Sequence, residues 1–591
     1  MTSVSRSAEL LSEAPAAIYV ITQDEIRRSG ATTLVEALEL APNLRIHQLG
    51  AGSHVASTRG FGGNQEAQNF SNKLLLLIDG RSVYSPLFSG IYLDTQDVVL
   101  ADIARIEVIS GPGATLWGAN AMNGVINVIT RPAWLSEGTA LTATAGSDQQ
   151  HVTARYGSGL GESGAARVYL KALRSDALES SPGVSAGDGW QRAQAGFRTD
   201  FNHAGGESQL QGDVYKGEFE RPGSDAEFVT GANLLARWQH RTQRSALQVQ
   251  GYFDHVQRHT REQEGHRQNT FDLELQQEVH AGAHSIVWGA GGRMHRYHIN
   301  GSQNLRFEPE GRTLQLWHLF AQDTMGLGAV KLTLGMKLEH NDFTGWEPQP
   351  EARIGWQTGR SMLLWASVAR AIRAPTPFDT DVAEYLGGIR FLEGNDAFRP
   401  EQVVAHEAGV RVSAAPSFWW SLSAFYNRYD DLRTIEFSDV PGGLPLYWGN
   451  EMEGESWGLD AWATWQVADW WRITPGIQLL RKDLRLKPGS TSPLGTSQAA
   501  NDPRTLGSLA SSFDLSHRQS FDFSLRYVGP LPDPALGSHT ELQMRYAWRA
   551  SDALEVSVRG TSLLKARHRE YAAPAGGMIR RGLMAEARWR R

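Results

Sequence analysis

The chain has 591 residues, a formal net charge of −7, 61 glycines, 19 tryptophans and no cysteine. That length exceeds one ordinary domain. The charge is spread along the chain and leaves no basic footprint for nucleic acid, and the lack of thiols excludes disulfides, cysteine–zinc sites and cysteine nucleophiles.

No stretch approaches the ~18 consecutive apolar residues of a membrane-spanning helix. The N-terminus, "MTSVSRSAELLSEAPAAIYV", also lacks the ~7–15-residue apolar core of an export signal. Either the protein is cytosolic or its signal lies outside the given sequence. Residues 1–132 predict a compact α+β domain. Thr22 reads as a helix N-cap with Glu25 as its capping-box partner and Gly30 as the stop. A second short helix near Thr32–Leu40 ends at Ala41-Pro42, and buried-type strands follow at Lys73–Ile78, Arg105–Ile109 and Val125–Thr130. Between the last two strands stands "ISGPGATLWGANAMNG". Gly113 and Gly118 have the separation of a P-loop, but Ala119 and Asn120 replace the required Lys and Ser/Thr. The glycines therefore read as backbone devices for tight turns.

Residues 133–591 predict strand after strand of strict alternation. Leu332, Leu334, Met336 and Leu338 share one face against Lys331, Thr333, Lys337 and Glu339. Phe521, Phe523, Leu525 and Tyr527 oppose Asp522, Ser524 and Arg526, and Leu542, Met544, Tyr546 and Trp548 oppose Glu541, Gln543, Arg545 and Arg549. A soluble sandwich alternates too. Here, however, full charges recur on the polar face, as a water-filled lumen permits, and every tryptophan except Trp117 lies in this half, many near strand ends like an aromatic girdle. The fold class is thus mainly β, a transmembrane antiparallel β-barrel behind an N-terminal α+β plug. Its length suits about 22 strands at roughly 21 residues per strand and connection, though 16 or 18 strands with longer loops also fit. A barrel that wide needs a plug.

The first domain resembles the plug of TonB-dependent outer-membrane receptors through "APAAIYVITQDEIRRSGATTLVEALELAPNLRI", "TRGFGG", "LLLLIDGRSVYSPLFSG" and "DIARIEVISGPGATLWGANAMNGVINVIT". The second half agrees at "QDTM", "VARAIRAPTPFD", "EGNDAFRPEQVVAHEAGVR" and "SLRYVGPLP". The resemblance implies a monomer in the bacterial outer membrane, surrounded by outer-membrane lipid. Such a protein takes up a scarce nutrient chelate when the inner-membrane TonB complex pulls on the plug, and it has no cofactor and no catalytic residue. A ferric siderophore is the expected cargo. Cobalamin, haem, another metal chelate or an uncoupled channel are the alternatives. The plug motif positions are Arg59, Gly60, Asp79, Gly80, Glu107, Gly111, Pro112, Gly113, Gly118, Asn123 and Gly124, and the apical loops nominate Asn64, Gln65, Arg81, Tyr84, Phe88 and Tyr92 for ligand binding.

Arg59, Glu107 and Arg131 invite ion pairs between plug and wall that break when the plug moves. Two departures from the family stand out. No extended β-branched segment before Leu10 matches its TonB-contacting box, so that box lies upstream of Met1 or coupling is degenerate or absent, and two arginines follow Trp589 where an aromatic residue usually ends the last strand. No metal site is expected. His255/His259 would be ~13 Å apart on a strand and His295/His298 would face opposite ways. "GESWG" lacks the strand–turn–helix setting of a nucleophile elbow. The connections Tyr385–Pro400 and Leu486–Asp502 are expected outside the cell, carrying specificity.

Overall fold

The computed structural model describes residues 10–62, 71–359, 361–573 and 576–591. Its N-terminal part is a five-stranded mixed sheet in the order Ala17–Thr22, Ile103–Ser110, Gly124–Thr130, Leu74–Ile78, Arg81–Ser82. Leu74–Ile78 runs parallel to Gly124–Thr130, and the other pairs are antiparallel. Leu74–Ile78 is buried along its whole length, which is why it reads as an unbroken aliphatic run rather than an alternation. Helix Gln23–Ser29 carries the capping box of Thr22 and Glu25 and ends on Gly30 in the left-handed conformation. The second helix is shorter than its pattern suggested, Leu34–Leu38, because Thr33 caps it and the chain turns toward Pro42.

Past the single-turn helix Ala133–Leu135 the chain enters a closed antiparallel barrel of 22 strands. Three short strands, Leu305–Phe307, Val382–Leu386 and Ile389–Glu393, form a canopy hydrogen-bonded onto the wall at one end. The barrel closes where Gly138–Gly146 pairs with Gly582–Arg590, from Ala140 opposite Arg590 to Gly146 opposite Met584. Connections at one end are short, such as 161–163 and 204–205. Those at the other reach the length of 374–400. Short periplasmic turns and long extracellular loops are the rule for such barrels, so the canopy marks the extracellular mouth.

Alternation sorts the wall opposite to a soluble protein. On Val330–Asn341 the side chains of Thr333, Lys337 and Glu339 are buried toward the lumen, whereas Leu334, Met336 and Leu338 are exposed. Arg545 is buried between exposed Met544 and Tyr546. The outward apolar belt, which includes Leu170, Leu273 and Leu319, is covered by lipid in place of protein. Leu319 stands near the middle of Thr313–Leu327 and is 53% exposed. Leu319→Arg should therefore cost about 2–4 kcal/mol of barrel stability, read as a lower denaturant midpoint on refolding into lipid vesicles. A midpoint equal to wild type would contradict a lipid-facing position there.

Candidate functional site between plug and mouth

The glycine-rich run of the plug is organised by carboxylates of the barrel wall. Gly111 has φ +90°, and a Cβ there would collide with the carboxylate of Glu407 and approach Arg59 Nη1 to 2.9 Å. Gly118 has φ +92°, and a Cβ would meet Glu339 Oε2 at 2.5 Å. The Ala119 N–H instead donates to both Glu339 oxygens at 3.3 Å. This backbone does cradle an anion, but the anion is a side chain of the wall. The Asn123 side-chain oxygen accepts from the Tyr429 hydroxyl at 3.0 Å, and its main-chain carbonyl accepts from the Gly111 N–H at 2.8 Å.

Charged pairs join plug to wall at many points. Arg59, fully buried, donates to Glu407 at 2.7 Å and to Asp460 at 3.1 Å, and its guanidinium lies 4.3 Å from the Phe425 ring centroid. Arg81 pairs with Asp254. Asp97 takes Lys171 at 2.6 Å and Arg192 at 2.5 Å, while Arg28 reaches Asp514 and Asp522 at 2.7 Å each. Glu107 pairs within the plug instead, accepting from Arg105 on its own strand at 2.7 Å. The Arg131 carbonyl accepts from Arg167 of the wall. Asp79 and Gly80 form the two-residue turn of a hairpin, and both Asp79 oxygens accept from Thr130, at 2.8 and 2.7 Å.

Above this lies a charged cluster that sequence reasoning missed, although two of its members stand in the quoted "VARAIRAPTPFD". Arg373 and Arg433, both fully buried, share Asp379 at 2.8 and 2.9 Å. Arg373 also pairs with Glu401 and donates to Ser89 of the plug at 2.6 Å. Lys73 of the plug reaches the same Glu401 at 2.7 Å. Asp379 sits at the third position of the short helix Pro377–Thr380 and completes a capping box with Thr376. Burial would raise its carboxyl, but Arg373 and Arg433 outweigh that and hold it below the usual range. Burial pushes the Lys73 ammonium down to about 8 against the pull of Glu401. Apolar faces close the cluster, with Arg433 4.5 Å from the Trp448 ring and Arg373 5.4 Å from Phe398.

Of the nominated ligand residues, Asn64 and Gln65 lie outside the described residues. Arg81 is held by Asp254, and Tyr84 is buried with its hydroxyl 3.4 Å from the Asn72 carbonyl. Phe88 and Tyr92 are half-buried, with rings 4.6 Å apart, beside the plug hairpin Tyr84–Ser85/Gly90–Ile91. Tyr92 stacks on His266 at 5.6 Å, and the Arg258 guanidinium covers it at 4.2 Å. A polar cavity of about 330 Å³ separates plug from wall lower down, between Asp79, Arg105, Arg237, Glu274 and Arg293. A larger hollow of about 870 Å³, lined by His255, Arg267, Arg296 and His298, lies on the outer face, because these residues alternate with lumen-facing Asp254, Gln268, His295 and Tyr297. It is off the path through the barrel. "GESWG" lies inside the wall strand Leu446–Ala468.

Residues 11–125 match the TonB-dependent receptor plug domain, and residues 132–561 match the TonB-dependent receptor-like β-barrel. The chain belongs to the TonB-dependent receptor family. This receptor is an outer-membrane protein. It is 25% identical over 498 residues, 77% of its own length and 73% of the other, to the iron-regulated outer membrane virulence protein of Vibrio cholerae. It is 37% identical to the vitamin B12 transporter BtuB of Vibrio vulnificus, over only 152 residues; that match spans 25% of the receptor and 23% of BtuB. Among solved structures, the siderophore receptor PirA of Acinetobacter baumannii superposes with a TM-score of 0.82 at 14% identity, covering 97% of this chain and 98% of that one. The ferric enterobactin receptor PfeA of Pseudomonas aeruginosa does so with 0.81 at 14% identity, over the same shares.

Proposed function

We propose that the receptor imports a ferric siderophore across the outer membrane, driven by the TonB complex, acting as a monomer without cofactor or catalytic residue. The carrying observation is the half-buried pair Phe88 and Tyr92 beside the mouth, their rings 4.6 Å apart and tilted by 59°, with Arg258 over Tyr92. Flat apolar rings next to a fixed cation suit an anionic, aromatic-rich chelate. The long alignment to an iron-regulated relative, barrel included, supports the same cargo. The canopy strands and the connections 374–400 and 487–504 supply specificity in this reading. The ion-paired interface supports energised release, since the plug must leave many charged partners at once.

Cobalamin is the second reading, favoured by the higher identity of the BtuB segment. Tryptophan-fluorescence titration of the purified receptor with ferric siderophores, haem and cobalamin separates the two. Saturable quenching by a ferric catecholate or hydroxamate, lost in a Phe88→Ala/Tyr92→Ala double variant, is the expected outcome. Saturation by cobalamin alone would replace the proposal with the second reading.

A further inference from the structure

The described residues of the connection 562–581 fold back from the mouth onto the plug. Its Gly577 N–H donates to the Leu49 carbonyl at 2.7 Å, and its Glu570 accepts the Gln48 N–H through Oε2 at 2.7 Å. The other oxygen of Glu570 is the focus of two imidazoles. His539, at the start of the wall strand His539–Arg549, brings Nε2 to 3.5 Å from Oε1, and His568 brings Nε2 to 3.9 Å from that same atom. The two rings are 5.0 Å apart. All three side chains are less than a tenth exposed, and their ligand atoms lie within 4.8 Å of one another.

Hydrogen bonding does not account for this arrangement. At 3.9 Å the His568 Nε2 is beyond hydrogen-bond reach of Glu570, and it is a buried nitrogen with no hydrogen-bond partner. Leaving such a group unsatisfied is costly. Two imidazole nitrogens and one carboxylate oxygen converging on a point are the donor set of zinc and its neighbours, which hold nitrogen and oxygen ligands at about 2.0–2.2 Å. Placing an ion between them requires the three side chains to close in by roughly an ångström, within rotamer adjustment. The Gln48 N–H on the second carboxylate oxygen then orients the ligand from outside. Residue spacing predicted no metal site because His539 stands on a wall strand, far along the chain from the His568 and Glu570 of the connection.

We propose that His539, His568 and Glu570 bind one divalent transition-metal ion, with zinc the best fit, and that the ion staples the connection 562–581 to the plug. Three protein ligands leave a position open for water or another donor. Because Glu570 holds Gln48 through its free oxygen, metal occupancy and plug position are linked reciprocally. None of this depends on the identity of the imported cargo.

The test uses the full-length, tag-free receptor in detergent micelles, stripped with a chelator and titrated calorimetrically with Zn²⁺ alone near neutral pH. One ion per chain is expected. Affinity should fall by at least about tenfold in His568→Ala and in Glu570→Gln, with heat-modifiable gel migration confirming that each variant still forms its barrel. Cobalt substitution supplies a second reading, since a four-coordinate nitrogen–oxygen site gives an intense visible absorption that both variants should lose. Zinc should also slow amide exchange at Arg45–Gln48 in the wild type but not in His568→Ala. A wild type that takes up no zinc, or variants that bind it equally well, would overturn the site and leave a protonated His568 paired with Glu570. Unchanged exchange on zinc binding would overturn the staple.

Discussion

Replacing Arg59 with alanine will loosen the plug. The guanidinium is fully buried between Glu407 and Asp460, and its loss strands two buried carboxylates. Breaking a buried pair by removing one partner costs about 3–5 kcal/mol, and the cavity adds to that. The expected readout is the urea concentration at which purified receptor begins to conduct ions in planar bilayers, which should drop clearly below wild type. Arg59→Met combined with Glu407→Gln and Asp460→Asn should recover much of the loss, because an uncharged trio strands nothing. An unchanged opening threshold in Arg59→Ala would show that the pair carries no part of the seal.

Asp379→Asn should have a comparable effect at the mouth. This carboxylate is shared by Arg373 and Arg433, and all three are fully buried. Without its charge, two guanidinium groups face each other with only Glu401 left as an anion beside Arg373. The expected penalty is again about 3–5 kcal/mol, but confined to the folded connection 374–400. That segment should become the first site of limited proteolysis while the barrel keeps its heat-modifiable migration. Ser89 of the plug bonds to Arg373, so the variant should also weaken cargo binding. Wild-type resistance to protease would refute the assignment of Asp379 as the anchor of this loop.

These two sites show what the sequence made visible and what it hid. The strict alternation at 331–339 and 541–549 oriented the wall only together with the full charges on its polar face and the tryptophans of that half, and the fold puts Leu334 outside and Lys337 inside. The capping box at Thr22 and the Gly30 stop were equally legible because they are local. Arg59 was singled out as a charge within a plug, yet Glu407 and Asp460 lie about 350 and 400 positions further along, so no pattern could pair them. The cluster around Asp379 was hidden for the same reason, as it draws on plug, wall and connection at once. Arg81 and Tyr84 were nominated through the apical loops of the family, whereas their contacts with Asp254 and with the Asn72 carbonyl could be seen only in the fold.

The seam of the barrel constrains how the molecule is made. Ala140 is paired with Arg590, so the first wall strand has no second neighbour until the last one has been synthesised. Bringing such distant ends together costs only about 5 kcal/mol of chain entropy, which the seven residue pairs of the seam can offset. Until then, both edge strands present unpaired amides that lipid cannot satisfy. The plug precedes the wall in the chain yet finishes inside a ring that the final strand completes. Its ionic contacts with lumen side chains must either template that ring while it is still open or form once the lumen is sealed. Transplanting the seam to another turn by circular permutation would show which order the protein follows.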